Sequence, residues 1–297
     1  MAFKIREAKK TQLAVKVLCS GSSGSGKSYT ALRLATGIVA KEGGKIVMIN
    51  TEGNRGELYA DDFTYDIIDL EEPFTPESYI EAIQYAISQG ATVVIIDSLS
   101  HEWTYLNELV NNMPGTSFQN WGKVKPRHRK LTDYIAGVGT HIIATGRGKD
   151  EYVMELNDKG KQTPKKVGVG VQQEKDTEYE YMVTFNIIQD THVANVMKDN
   201  THIFEGRYDI LTEKDGEALY VWAHSGVKSD KPNIAEIQPL QQKVIALAKE
   251  LGGSKDTVVK STVESNIECQ KPTDCVDATK LNKAITALEK LKQERGI

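Results

Sequence analysis

The chain has 297 residues and a formal net charge of −4, with 39% hydrophobic and 26% charged residues. This composition is ordinary for a soluble globular protein, and the length suggests one sizeable domain with a smaller one. No run of eighteen apolar residues occurs, so no membrane span is predicted. The first ten residues lack the apolar core of a signal peptide, and the sequence therefore predicts a cytoplasmic protein.

Short apolar runs alternate with segments of helical spacing over the first half of the chain. The predicted strands are residues 13–19, 45–50, 65–70, 92–97 and 141–145. The predicted helices are residues 27–41, 77–89, 102–112 and 124–136. Such alternation predicts an α/β fold in which helices flank a mostly parallel, doubly wound sheet.

The pattern changes at about Arg147. From there to Tyr220 the chain favours strands and turns, including a hairpin turn at residues 157–160. Residues 227–233 are polar and predict a linker, and beyond them short helices are expected, one beginning near Pro239. We therefore predict a core over residues 1–228, whose C-terminal half is rich in hairpins, and a linker with a small helical module over residues 229–297.

The segment after the first predicted strand fits the phosphate-binding pattern G-x-x-x-x-G-K-[ST] at every fixed position. It comprises Gly21, Ser22, Ser23, Gly24, Ser25, Gly26, Lys27 and Ser28, and the predicted site extends to Tyr29. Glycines allow successive backbone N–H groups to point at the α- and β-phosphates of a nucleotide. We expect Lys27 to reach the β- and γ-phosphates and the Ser28 hydroxyl to bind Mg²⁺, so the predicted ligands are ATP and Mg²⁺.

Three later positions carry further candidate side chains. Asp97 ends an apolar strand about seventy residues after the phosphate-binding loop, where an acidic residue commonly holds Mg²⁺ through water. Glu52 follows the second strand and is a candidate general base that orients an attacking water. Arg147 follows the strand that ends at Thr145 and is a candidate γ-phosphate sensor. The alternative for Glu52 is an acidic residue in a solvated turn.

The segment Ile46-Val-Met-Ile-Asn-Thr-Glu-Gly53 resembles the corresponding segment of the RecA/RadA recombinase family, as does Val94-Ile-Ile-Asp-Ser98. Three later segments, residues 147–162, 165–168 and 178–180, resemble a narrower group, the phage-encoded RecA-like ATP-binding proteins that include the Sak-type single-strand annealing ATPases. The resemblance covers residues 14–208. It implies a RecA-like P-loop NTPase core in which Glu52 is the catalytic carboxylate and Asp97 an outer Mg²⁺ residue.

The resemblance also implies an assembly in which subunits act together, as a homo-oligomer or filament. The family usually has a Gln as its γ-phosphate sensor, whereas this chain has Thr145-Gly146-Arg147, so Arg147 is the candidate replacement. Family filaments place basic residues of a neighbouring subunit at the γ-phosphate. Lys198 is the candidate for that role, and a plain surface lysine is the alternative.

Two basic segments are candidate contacts for single-stranded DNA, which a chain of negative net charge must bind through local patches. The first is the acid-free run from residue 123 to 130, with Phe118 and Trp121 just before it; its cations are Lys123, Lys125, Arg127, Arg129 and Lys130. The second is the predicted hairpin, with Lys159, Lys161, Lys165 and Lys166. Aromatic rings beside cations are typical of single-strand binding sites. For the first segment, a solvated helix face anchored by Trp121 is the alternative.

The sequence thus predicts a DNA-stimulated ATPase that acts on single-stranded DNA in phage recombination or replication, by annealing or strand pairing, inside the host bacterial cytoplasm. A RecA-fold helicase or helicase loader remains open, as does a DNA-binding module that uses ATP as a structural switch with little hydrolysis. A single-strand DNA-binding protein is a candidate partner of the C-terminal module. The guanine-recognition motif of GTPases and the signature motif of transporter ATPases are absent from the sequence.

Overall fold

A computed structural model describes residues 5, 7–156, 162–227, 234–269 and 271–296. The chain forms two compact units, Met1–Val227 and Lys228–Ile297. The first unit contains the phosphate-binding loop and every strand in the described residues. None of the helices in those ranges combines the length and the apolar character needed to cross a bilayer.

A central sheet organises the first unit. Its strands are β1 (Lys16–Gly21), β2 (Lys45–Asn50), β3 (Asp66–Asp69), β4 (Ala91–Asp97), β5 (His141–Leu156), β6 (Gln162–Val171), β7 (Val183–Ile187), β8 (Ala194–Asp199) and β9 (Tyr208–Asp209). The strand order is β3-β2-β4-β5-β1-β7-β8-β9, and β6 pairs with β5. The pairs from β3 to β7 are parallel, whereas β8 and β9 are antiparallel. The predicted α/β fold with a mostly parallel sheet is confirmed.

Helices cover the sheet because its central strands are apolar on both faces. The helices of the first unit are α1 (Lys27–Glu42), α2 (Pro76–Ser88), α3 (Ser100–Asn112), α4 (Ser117–Gly137) and α5 (Glu213–His224). Alternate β-strand residues such as Val17, Cys19 and Met48 pack into one buried cluster with α1 and α5. Elsewhere in the first unit, α2 packs against strand β4 and against helix α4.

Two helices differ from the sequence prediction. Helix α4 begins at Ser117 and not at residue 124, because Thr116 caps it and the helix continues through Pro126. Helix α5 occupies residues 213–220 of the segment for which mostly strands and turns were predicted, and the prediction is wrong for these residues. The missed signal is the Thr212-x-x-Asp215 pattern of a capping box, in which the Asp215 carboxylate accepts from the backbone N–H of Thr212 at 2.7 Å and from its hydroxyl at 3.1 Å.

Strand β5 is longer than the predicted residues 141–145, and its second half leaves the sheet. From Gly148 to Leu156 it pairs antiparallel with β6, in register from Gly148↔Val171 to Leu156↔Gln162. We call this two-stranded ribbon the arm. The turn predicted at residues 157–160 lies outside the described residues, as do Lys159 and Lys161.

The second unit is helical and has its own apolar core. It contains α6 (Ile234–Glu250), α7 (Thr257–Ile267) and α8 (Ala278–Arg295). Apolar residues at helical spacing meet in this core, among them Val244, Leu251, Leu281 and Leu288. Helix α6 begins at Ile234, so the start predicted near Pro239 is about one turn late.

The crossing of α1 and α5 is so close that two glycines are required. A Cβ atom on Gly37 would lie 1.9 Å from the carbonyl oxygen of Glu213, and one on Gly216 would lie 2.1 Å from that of Leu34. Both neighbours are backbone atoms, which cannot rotate away as a side chain can. The two helices therefore depend on glycine for their separation.

We expect Gly37→Ala to lower the free energy of unfolding by about 1–3 kcal/mol, because the added methyl group overpacks this crossing. Alanine favours a helix over glycine by about 1 kcal/mol, so a net loss of stability must come from the steric clash of the added methyl group. The control is Gly122→Ala in α4, where an added Cβ meets nothing within 4 Å. Urea unfolding followed by circular dichroism measures both variants, and equal effects on the two would contradict the prediction.

Candidate nucleotide-binding site

The phosphate-binding loop connects the buried strand β1 to helix α1. Gly24 and Gly26 have φ angles of 76° and 89°, in the left-handed region that glycine favours. A Cβ atom on Gly21 would lie 2.6 Å from the carbonyl oxygen of Ile187, so this position also requires glycine. The loop thus has the curled backbone that presents N–H groups to an anion at the start of a helix.

The Lys27 ammonium lies over this loop and donates to the carbonyl oxygen of Ser22 at 2.7 Å. Burial lowers the pKa of Lys27, while the nearby carboxylates of Asp97 and Glu52 act in the opposite direction. The ammonium is therefore a partly desolvated cation whose protein partner is a neutral carbonyl. Such a cation is well suited to an incoming phosphate.

Two side chains from the turn between β7 and β8 make hydrogen bonds to the phosphate-binding loop. His192 Nδ1 donates to the carbonyl oxygen of Ser25 at 2.9 Å. The Ser22 hydroxyl donates to Gln189 Oε1 at 3.1 Å. Both partners lie in the turn between β7 and β8, and neither was singled out from the sequence because no local motif marks them.

Asp97 is buried at the carboxyl end of β4. Its Oδ1 atom accepts a hydrogen bond of 2.5 Å from the Thr145 hydroxyl on the adjacent strand β5. This bond fixes the orientation of the carboxylate and leaves its other oxygen available. Ser28 and Asp97 both line the cleft described below, so two hard oxygen donors of the kind that Mg²⁺ prefers face the same space.

Glu52 and Arg147 form an ion pair across the site. Arg147 Nη2 lies 2.9 Å from Glu52 Oε1 and 3.0 Å from Oε2. The Ser98 hydroxyl donates to the same carboxylate at 3.2 Å, and His101 Nε2 lies 3.8 Å from it. Partial burial acts to raise the pKa of Glu52, but the Arg147 guanidinium, with His101 and Ser98, outweighs it and lowers the pKa. The carboxylate is thus held ionised by a cation of its own chain.

These side chains surround an open cleft of about 690 Å³. The predicted residues that line it are Gly21, Ser22, Ser23, Gly24, Gly26, Lys27, Ser28, Glu52, Asp97 and Arg147. Residues that sequence reasoning missed also line it, namely Arg55, Leu58, Tyr59, Ser98, Gly148 and Gln172. One short 3-10 turn separates Tyr59 from Glu52. The pairing of β5 with β6 brings Gln172 to the cleft. Neither position has a sequence motif of its own.

Three predicted residues lie elsewhere. Ser25 is fully buried beneath the loop, and Tyr29 packs edge-on against Tyr59 and Phe63, with ring centroids 5.2 Å and 4.9 Å away. Tyr29 therefore supports a wall of the cleft and does not line it. The Lys198 ammonium donates to the carbonyl oxygens of Glu178, Tyr179 and Tyr181, at 3.3, 2.8 and 2.7 Å. Any role at a neighbouring subunit requires its release from these three carbonyls.

The basic segment of α4 is partly neutralised within the chain. Lys125 pairs with Glu174 at 2.5 Å, and Arg127 makes two hydrogen bonds to Glu77, at 3.0 and 2.7 Å. Trp121 stacks on Trp103 with ring centroids 5.0 Å apart, so its face is occupied by a protein side chain. In the described ranges, Lys123 and Arg129 make no ion pair. The basic surface of α4 is therefore smaller than the sequence suggests.

A separate cluster of possible metal ligands, Glu42, His141 and His224, lies in the same unit. The backbone N–H of Val15 donates to His141 Nδ1 at 2.9 Å, which places the ring proton on Nε2. That proton is donated to Glu42 Oε2 at 2.6 Å. A metal-bound histidine donates from its second nitrogen, whereas here that nitrogen accepts. The cluster is a hydrogen-bonded structural pair with His224 beside it.

The model of the AAA domain family matches residues 13–208, which include every side chain of the cleft. The chain belongs to this family. Among curated proteins no match is found. A member of this family with an intact phosphate-binding loop and a mostly parallel sheet is a nucleotide-binding P-loop NTPase.

Proposed function

We propose that this protein is a RecA-like ATPase that hydrolyses ATP with Mg²⁺ and acts on single-stranded DNA. We place it in phage recombination or replication, as an annealing or strand-pairing protein. The observation that carries the proposal is the convergence of Lys27, Asp97, Glu52 and Arg147 on one cleft from which the arm departs. The arm continues directly from the core part of β5, and the resemblance to RecA-like proteins implies a DNA-contacting loop after this strand.

The cleft offers matching groups for each part of Mg²⁺-ATP. The backbone of the loop and Lys27 would bind the phosphates, and Leu58 with Tyr59 would flank the base at the other end. Ser28 and Asp97 would hold Mg²⁺, which neutralises charge on the β- and γ-phosphates when bound. The donor set fits this ion because both side chains present hard oxygens.

Glu52 is the candidate general base, and its pairing with Arg147 suggests how its activity is controlled. A carboxylate whose pKa is lowered by a guanidinium is a weaker base than a free one. An ATP γ-phosphate would compete with Glu52 for Arg147, since guanidinium groups bind phosphate and carboxylate with the same bidentate geometry. Exchange of Arg147 from Glu52 to phosphate would release the base at the moment when substrate is in place.

We expect Glu52→Gln to retain ATP binding and to lower the turnover rate by about 10²–10⁴-fold, the usual contribution of a general base. The control is Glu57→Gln, which changes an exposed acid at the end of the same turn. Phosphate release under saturating ATP measures turnover, and equilibrium binding of a fluorescent ATP analogue measures affinity. Normal turnover in Glu52→Gln would identify Glu52 as a turn residue.

We expect Arg147→Ala to lose most of its preference for ATP over ADP. A hydrogen bond to a charged group contributes about 1.5–3 kcal/mol, so the expected loss is about 10–100-fold in relative affinity. Arg55→Ala is the matched comparison, because Arg55 also lines the cleft and lies 3.7 Å from Glu52. Competition binding with ATP and ADP measures this preference. If Arg55→Ala loses it and Arg147→Ala keeps it, Arg55 is the sensor.

The arm is the favoured DNA-binding element because residues 159–166 contain four lysines and no acid. Replacing Lys159, Lys161, Lys165 and Lys166 with Ala should weaken binding of oligothymidine and leave ATP binding intact. The slope of log affinity against log salt should flatten by about 0.7 for each DNA phosphate that the variant no longer neutralises. The comparison variant replaces Lys123, Arg129 and Lys130 of α4. If the slope changes in this variant alone, DNA binds on α4.

Two other functions remain open and have distinct signatures. A RecA-fold helicase or loader would unwind a tailed duplex, whereas an annealing protein would pair complementary strands. A DNA-binding module that uses ATP as a structural switch would hydrolyse little ATP, with or without single-stranded DNA. Sedimentation with ATP and DNA tests the proposed homo-oligomer or filament.

A further inference from the structure

The helical C-terminal unit has an apolar groove that lies outside the residues matched by the AAA domain family. The groove has a volume of about 450 Å³, within the range of ligand pockets in proteins. Its apolar lining comprises Ile245, Ala248, Val259, Val263 and Pro272, from α6, α7 and the segment after α7. Ile245, Ala248 and Pro272 are partly exposed at this groove, and covering apolar surface that contacts water is favourable for a partner.

Cations border this groove. Lys249, Lys260 and Lys271 line it together with a single acid, Glu264, which lies 3.9 Å from Lys260. In the described ranges, Lys249 and Lys271 make no ion pair. Four other cations of this unit are paired with acids of a different helix or turn, in the pairs Lys243–Glu289, Lys280–Glu268, Lys292–Glu250 and Arg295–Asp256. Two uncompensated positive charges therefore remain beside an aliphatic floor.

We propose that this groove binds a short peptide segment of a partner protein, in which apolar side chains are flanked by Asp or Glu. The aliphatic floor would receive the apolar side chains, and Lys249 and Lys271 would attract the carboxylates. A nucleic acid fits less well, because no aromatic side chain lines the groove to stack a base. Charge complementarity of this kind determines which partners are selected.

The test selects peptides on the full-length protein from a phage-displayed library of short random sequences. The double variant Lys249→Glu, Lys271→Glu serves for counter-selection. We expect the enriched peptides to combine Asp or Glu with aliphatic or aromatic residues. Fluorescence anisotropy with a labelled enriched peptide should show affinity reduced about tenfold or more in the double variant. Ala248→Trp, which fills the groove, should reduce affinity similarly.

The matched control is Lys283→Glu with Lys290→Glu, which makes the same change of charge on exposed positions of α8. It should bind the peptide as the wild type does, and circular dichroism checks that each variant is folded. Failure to enrich acidic peptides, or equal affinity in the groove variants and the wild type, overturns the proposal. Displacement of the peptide by oligothymidine would indicate a nucleic-acid site, and self-association that disappears in the double variant would indicate a second copy of the chain. Either result also overturns it.

Discussion

The parallel register of the central strands is the constraint on which the site depends. Asn50 on β2 lies opposite Asp97 on β4, and Gly21 on β1 lies opposite Arg147 on β5. Because parallel strands end at the same edge of a sheet, residues far apart in sequence follow their strands into one cleft. A shift of one residue in any of these pairings would turn its functional side chain toward the opposite face.

Hydrogen bonds among buried polar groups maintain this edge. The Thr51 hydroxyl accepts from the backbone N–H of Ser98 at 2.8 Å, and the Thr51 N–H donates to the carbonyl oxygen of Asp97 at 2.8 Å. These bonds tie the segment that carries Glu52 to the segment that carries Asp97. Unsatisfied polar groups are costly at such depth, so this network favours one arrangement of the two acids. The cleft is therefore preorganised by these hydrogen bonds as well as by strand register.

Local signals in the sequence were sufficient to predict most core strands and to place the loop after β1 and Asp97 at the end of β4. They failed where a position depends on tertiary structure. The pairing of Arg147 with Glu52 joins residues 95 positions apart, and no local pattern encodes it. For Trp121, Lys125 and Arg127 of α4, the sequence could not reveal the stacking and the ion pairs, because it gives the charge of a side chain but not its partner. The close glycine crossing of α1 and α5 was also invisible, since its atoms come from segments with no shared motif.

Strand β5 belongs to both the central sheet and the arm, and it therefore connects the nucleotide-binding cleft to the arm. Its first half lies within the sheet beside β1, and its second half forms the arm. The carbonyl oxygen of Arg147 accepts a hydrogen bond of 2.7 Å from the backbone N–H of Gln172. This bond joins the two segments of the arm where they begin, beside the cleft. Any nucleotide that alters the arm's affinity for a polymer must, by thermodynamic reciprocity, have its own affinity altered by the polymer to the same degree. If the arm binds DNA as we propose, this continuous strand is the covalent connection between the two binding sites.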